Sequence, residues 1–136
     1  MKSLILDLDG VLIDGRQYIT ESGDKLFKRL HCRDMSAIRY LVSKGWSVTV
    51  ISADDWEGAA KWCEKLGAKF VYSRDKQDED LPWSESIGIG DDFFFDAPWL
   101  HKCKVAFTVA DAGERMRSSF PALSSKGGEG VVEELI

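Results

Sequence analysis

Asp7 and Asp9 stand two residues apart at the end of a short apolar run, followed by Gly10. In an extended strand, side chains two apart share a face, so both carboxylates emerge together where the strand stops. Two acids on a buried strand are costly unless something positive meets them. A second acidic group follows much later: Asp91 and Asp92 after the run 86–90, with Asp96 four residues on. Ser52 ends another apolar run, Val48-Thr49-Val50-Ile51. If these strand ends are neighbours, at least four carboxylates crowd one sheet edge. Two unit charges about 5 Å apart repel by roughly 3 kcal/mol at an effective dielectric near 20. Several such pairs rival the total stability of a domain, about 5–15 kcal/mol. A divalent cation resolves the conflict, and an all-oxygen set favours Mg²⁺, whose remaining positions take water and a substrate phosphate.

The elements that must position these groups alternate along the chain. Strands are expected at 4–7, 46–51, 69–72, 86–90 and 104–109. The first helix is expected to be capped by Asp34 and stopped by Gly45, with Met35, Ile38, Leu41 and Val42 at helical spacing. A second starts at Ser52-Ala53-Asp54-Asp55, its apolar face made by Trp56, Ala59, Ala60, Cys63 and Leu66. A third starts at Asp96-Ala97-Pro98, with shorter ones over 111–117 and 131–136. The polar stretch 73–85 carries no helical pattern. Residues 13–31 read as a β-hairpin flap, with the turn at Glu21-Ser22-Gly23-Asp24. The pattern predicts an α/β fold: a three-layer, doubly wound (Rossmann-like) parallel sheet with a hairpin inserted after the first strand, forming one domain over 1–136.

Composition narrows the functions. The net charge of −5 argues against a nucleic-acid footprint. No apolar run is long enough for a membrane span, and no signal-peptide pattern is present. Cys32, Cys63 and Cys103 form no CxxC or zinc pattern and read as reduced thiols, mostly core or near-core, in a cytoplasmic protein. His31 and His101 are too isolated to pair as ligands. Trp56, Trp62 and Trp99 read as packing residues, Phe93-Phe94-Phe95 as core and interface, and Asp14 as part of the hairpin entry.

Asp7-Leu8-Asp9-Gly10-Val11 resembles the first motif of the haloacid dehalogenase superfamily of phosphotransferases. Ser52 is similar to its Ser/Thr motif, and Gly90-Asp91-Asp92 with Asp96 to its acidic fourth motif. The hairpin, Arg33-Asp34 and Gly127-Gly128-Glu129-Gly130 resemble, more narrowly, the capless branch typified by 3-deoxy-octulosonate 8-phosphate phosphatase. The resemblance spans nearly the whole chain. It implies Asp7 as nucleophile and Asp9 as general acid/base. It implies a Mg²⁺ site of Asp7, the Asp9 carbonyl and Asp91, with Ser52 and a lysine on the phosphoryl group. Asp92 and Asp96 would support the site, and Asp54 would contact the leaving group. The lysine is best matched by Lys76, although a solvated surface lysine fits this charge-rich loop as well; Arg74 is the alternative.

The sequence departs from the family at three places. Asp54 stands where Arg or Glu is usual, Glu129 where Arg is frequent, and only 14 residues separate Lys76 from Asp91, too few for a crossover helix. The implied function is a Mg²⁺-dependent phosphatase of a small phosphorylated metabolite, such as a sugar-acid phosphate. With no cap domain and with Tyr18, Ile19, Leu26 and Phe27 on the flap, it is expected to work as a homotetramer whose hairpins bury one another. Two other readings stand: a non-catalytic scaffold relative, and a phospho-receiver domain, which would place its acceptor on the third strand rather than the first.

Overall fold

The computed structural model describes residues 2–136. Five strands, β1 (Ser3–Asp7), β2 (Ser47–Ser52), β3 (Lys69–Tyr72), β4 (Ser86–Ile89) and β5 (Val105–Phe107), form one sheet in the order β3-β2-β1-β4-β5. Every pairing is parallel. The fold is therefore the α/β, doubly wound arrangement that the alternation of elements predicts. β1 lies at the centre, buried along its whole length, which is why it is almost wholly apolar until Asp7. The chain winds outward from β1 through β2 to β3, then returns to β4 on the other side of β1. The carboxyl ends of β1 and β4 thus flank the point where the winding reverses, the place where such sheets bind ligands.

The helices are α1 (Cys32–Ser43), α2 (Glu57–Leu66), α3 (Phe93–Leu100), α4 (Glu114–Ser119) and α5 (Val131–Glu134). α1 packs against α2 and α5, and α3 against α4 and a 3₁₀ turn at Lys76–Asp78. The core joins Leu4, Ile5, Leu6, Val50 and Ile51 of the sheet to Ile38, Cys63, Trp99 and Val131 of the helices.

Several boundaries differ from the sequence reading. α1 begins before Asp34: His31 is its N-cap, its Nδ1 accepting from the Arg33 amide at 3.1 Å. Asp34 is instead buried in the first turn, where Oδ1 accepts from the amides of Val132 and Glu133 and ties α1 to α5. α2 begins at Glu57 rather than at Ser52–Asp55, because the Ser52 side chain closes a turn with the Asp54 backbone. Trp56 is its N-cap rather than part of its apolar face. α3 begins at Phe93, three residues before Asp96. Asp92 caps it through the amides of Phe94 and Phe95, so Pro98 falls inside the helix. α4 is displaced to Glu114–Ser119, and α5 ends at Glu134.

The flap forms no strand ladder. Among the described residues its two arms meet at the isolated bridges Ile13↔Leu30 and Ile19↔Lys25, and Ile13 also bridges Asp9, as expected for a ribbon without a third strand. Stacking of Tyr18 on Phe27, 4.7 Å between ring centres, the Arg29–Asp14 pair within the flap, and lysine ion pairs to the body hold it instead. The stretch 73–85 contains two 3₁₀ turns, Lys76–Asp78 and Trp83–Glu85. Cys32 is exposed, not near-core; Cys63 is buried and Cys103 half-buried, and all three are free.

Candidate active site

Asp7, the last residue of β1, is 5% exposed. Lys76, in the short crossover after β3, is 2% exposed. Its Nζ donates to Asp7 Oδ1 at 2.7 Å and to Asp96 Oδ1 at 2.8 Å. Of the two roles left open for Lys76, a solvated surface one is thereby removed. Asp96 is fully buried on α3 and accepts four hydrogen bonds. Oδ1 takes Lys76 and the Trp99 indole N–H; Oδ2 takes the amides of Asp91 and Asp92. It therefore fixes both the lysine and the loop after β4.

Asp91 completes the cluster. Oxygens of Asp7, Asp91 and Asp96 lie within 4.8 Å of one another. Its carboxylate packs onto Gly10, where φ is +87° and any Cβ would lie 1.8 Å from Asp91 Oδ2. Only glycine fits there, on both counts. The loop after β1 is braced from behind by the glycine-rich segment before α5. The Gly128 amide donates to the Val11 carbonyl at 2.8 Å, and a Cβ on Gly127 would strike the Gly10 carbonyl.

The electrostatics follow from three carboxylates facing one ammonium. Burial opposes the lysine charge, yet Asp7 and Asp96 hold Lys76 firmly protonated. Burial would raise Asp96, but Lys76 and its other donors bring it below the usual carboxylate range. Asp7 is raised well above that range, by burial first and then by Asp96. Asp91 is pushed up to about 7, also mainly by burial. The cluster thus lacks positive charge. With the Asp96 oxygens saturated, Asp7 and Asp91 are the carboxylates with oxygen to offer a cation, beside the backbone of the Asp9 turn. This hard-oxygen donor set fits Mg²⁺.

A cleft of about 310 Å³ opens onto this cluster, walled by Asp7, Asp9, Gly15, Ala53, Asp54, Arg74, Lys76, Asp91, Asp92 and Phe95. Ser52 does not reach the wall. It is fully buried, and its hydroxyl is engaged by the N–H and C=O of Asp54. Asp92 serves as the cap of α3.

Sequence reasoning missed the flap lysines. Lys28 Nζ donates to Asp9 at 2.8 Å and to Asp54 at 2.9 Å, and Lys25 reaches the same Asp54 oxygen at 2.7 Å. No local spacing encodes contacts between residues so far apart in the chain. Of the three phenylalanines read as core and interface, Phe94 is 77% exposed and Phe95 lines the cleft. A second hollow, of about 290 Å³, lies between the flap and α2; its walls include Leu8, Ile13, Leu30, Trp56 and Trp62 and no carboxylate.

No family model matches the chain. A 3-deoxy-D-manno-octulosonate 8-phosphate phosphatase, KdsC of Haemophilus influenzae, is 30% identical over 146 residues, covering 99% of this chain and 80% of the relative. Its namesake in Escherichia coli K12 is 29% identical over 147 residues, covering 99% and 77%. The solved structure of a cobalt-bound deoxy-D-mannose-octulosonate 8-phosphate phosphatase from Haemophilus influenzae superposes with a TM-score of 0.87 at 29% identity, covering 99% of this chain and 84% of that one. By sequence and by fold, the chain belongs to the 3-deoxy-D-manno-octulosonate 8-phosphate phosphatase family, a capless branch of the haloacid dehalogenase superfamily.

Proposed function

We propose that the protein is a Mg²⁺-dependent phosphoric monoester hydrolase acting on a small sugar-acid phosphate through an aspartyl-phosphate on Asp7. The observation that carries this reading is the buried Lys76–Asp7 contact beside Asp91 at the switch point of the sheet. The cobalt-bound relative supports a divalent cation between Asp7 and Asp91. Such an ion would screen the phosphoryl oxygens as charge builds on them.

The chain's own residues supply the remaining steps. An Asp7 oxygen attacks phosphorus, and the bond to the leaving oxygen breaks. Asp9 donates its proton to that oxygen. Asp9 then takes a proton from water, whose oxygen attacks phosphorus; the bond to Asp7 breaks, and inorganic phosphate leaves. Lys76 neutralises phosphoryl charge from the floor of the cleft. Ser52 positions Asp54 and its turn, and contacts phosphate only if it gives up that turn. Asp92 and Asp96 hold Asp91 in place.

The whole chain acts as one capless domain. A homotetramer is supported by Ile19 and Leu26, each 58% exposed, and Phe27, 45% exposed, on a flap with no ladder of its own. The three free thiols support a reducing, cytoplasmic setting. No helix among the described residues is long and apolar enough to cross a membrane.

The test is hydrolysis of an aryl phosphate and of 3-deoxy-D-manno-octulosonate 8-phosphate. Turnover is expected with Mg²⁺, lost with EDTA, and abolished in a folded Asp7→Asn variant. Full turnover in EDTA, or near-normal rates in Asp7→Asn, would overturn the mechanism. A folded, Mg²⁺-loaded protein that hydrolyses neither ester favours the scaffold reading.

A further inference from the structure

The cleft carries more cations than its chemistry at the phosphorus uses. Lys76 is at the floor, committed to Asp7 and Asp96. At the mouth, Asp54 is matched by Lys25 and Lys28, and Asp9 by Lys28. Asp92 is matched by the first amides of α3. Arg74 also lines the cleft, just beyond the end of β3, yet among the described residues it has neither a carboxylate within ion-pair distance nor a hydrogen-bond acceptor. An exposed guanidinium beside so many acids, paired with none of them, is available to a ligand.

We infer that Arg74 is the residue that selects the leaving group, by taking the carboxylate of the sugar acid in its guanidinium fork while the phosphate sits at Asp7. This rests on the phosphatase reading above and names what reads the other end of the substrate. A guanidinium matches a carboxylate with two parallel N–H···O bonds, a geometry that an ammonium cannot offer. Arg74 suits the far end rather than the phosphorus because it is exposed whereas Lys76 is buried. Phe95, 42% exposed on the same wall, offers an apolar surface for the sugar carbons between the two ends. Asp54 does not repel an anionic leaving group, since two lysines share its Oδ2. The repulsion of a second carboxylate that an acid at position 54 would otherwise exert is thus offset by the flap.

The experiment compares wild type, Arg74→Ala and Arg74→Lys on 3-deoxy-D-manno-octulosonate 8-phosphate and on p-nitrophenyl phosphate, which has no carboxylate. A parallel calorimetric titration uses the free sugar acid. In Arg74→Ala the ratio of kcat/KM between the two esters should fall by about 10- to 100-fold, mostly through KM for the sugar acid. Binding of the free sugar acid should weaken in step. Arg74→Lys should recover only part of the ratio, because charge returns without the fork. A ratio unchanged within about twofold, or an equal fall on both esters, overturns the inference. So does wild-type protein that hydrolyses p-nitrophenyl phosphate but binds no sugar acid at millimolar concentration; the phosphatase reading then survives alone. Binding of the sugar acid that depends on Arg74, without hydrolysis of either ester, removes the phosphatase reading and with it the selection of a leaving group, and keeps only the carboxylate contact at Arg74.

Discussion

Asp91 holds its proton where an ordinary carboxylate has lost it, and stability must therefore depend on pH. Its value in the fold is about 7, against an ordinary 3.8, with burial the main cause. Between those values the folded protein binds a proton that the unfolded chain has released. Stability of the metal-free protein from this group is full below the ordinary value and is lost as pH rises through about 7. Asp7 shifts in the same direction and adds to the effect. In EDTA, the melting temperature is expected to drop between pH 5 and pH 8. Mg²⁺ should restore it most at the upper end, where both acids are charged. A metal-free melting temperature that climbs over this range would show that these carboxylates do not carry raised values. Asp7, Asp9 and Asp91 were legible from strand-end spacing and Asp96 from its place in the acidic run after β4, since two-residue periodicity and acid clusters are local signals. Lys76 was named only through the resemblance, with a surface role left open, because its burial against Asp7 depends on a crossover whose path no pattern reveals.

That crossover runs through two 3₁₀ turns, and aromatic side chains hold it down. Trp83 is buried, packs tilted against Trp99 at 5.6 Å between ring centres, and donates its indole N–H to the Glu79 carbonyl. Lys102 lies over the same ring and donates to the Gln77 carbonyl at 2.7 Å. Trp83→Ala is expected to destabilise the protein by about 3–5 kcal/mol, the usual cost of removing a buried aromatic. It should also lower turnover, because Lys76 rides on the segment that Trp83 anchors. Equilibrium urea unfolding measures the first effect and aryl phosphate hydrolysis the second. An activity loss no larger than the unfolded fraction would mean that Lys76 is held without it. The short crossover itself was predictable from the 14 residues between Lys76 and Asp91; its two turns were not, since single-turn elements leave no period to count. Helix starts were misread where two polar residues compete for the cap, as at Asp92 and Asp96. Only the side chain that reaches free amides decides, and at α3 that is Asp92.

At the scale of the whole molecule, the sheet was legible because five apolar runs alternate with helical ones, and all five strands lie within a few residues of their expected places. Interactions across the fold were not, since Asp34 on α5 or Lys28 on Asp54 depend on tertiary closure. Assembly lies at this scale too. Ile19, Leu26 and Phe27 leave an apolar flap surface that a second copy can cover. Light scattering at micromolar concentration should give about four times the 15.3 kDa chain mass. Replacing Ile19 and Leu26 with Ser should lower that mass without unfolding the monomer. A wild-type monomer with full activity would remove the tetramer.

The ion pairs between flap and body also fix the kinetics of access. Lys25–Asp54, Lys28–Asp54 and Lys28–Asp9 tie the flap to the mouth of the cleft, and all involve side chains open to solvent to some degree; Lys28 also lies over the Trp56 ring, 4.9 Å from its centre. Pairs of this kind contribute about 0–1 kcal/mol each. Three of them leave the raised flap populated at roughly 1% or more. Loop movements of this size recur within about a millisecond, whereas a median enzyme turns over about ten times per second. In the unassembled chain, substrate is therefore expected to meet an open cleft many times in each catalytic cycle, with product escaping as readily. Cellular salt, with a screening length of about 8 Å, loosens the latch further. The rate at saturation is then expected to be set at phosphorus, and a kcat that does not change with solvent viscosity would show it.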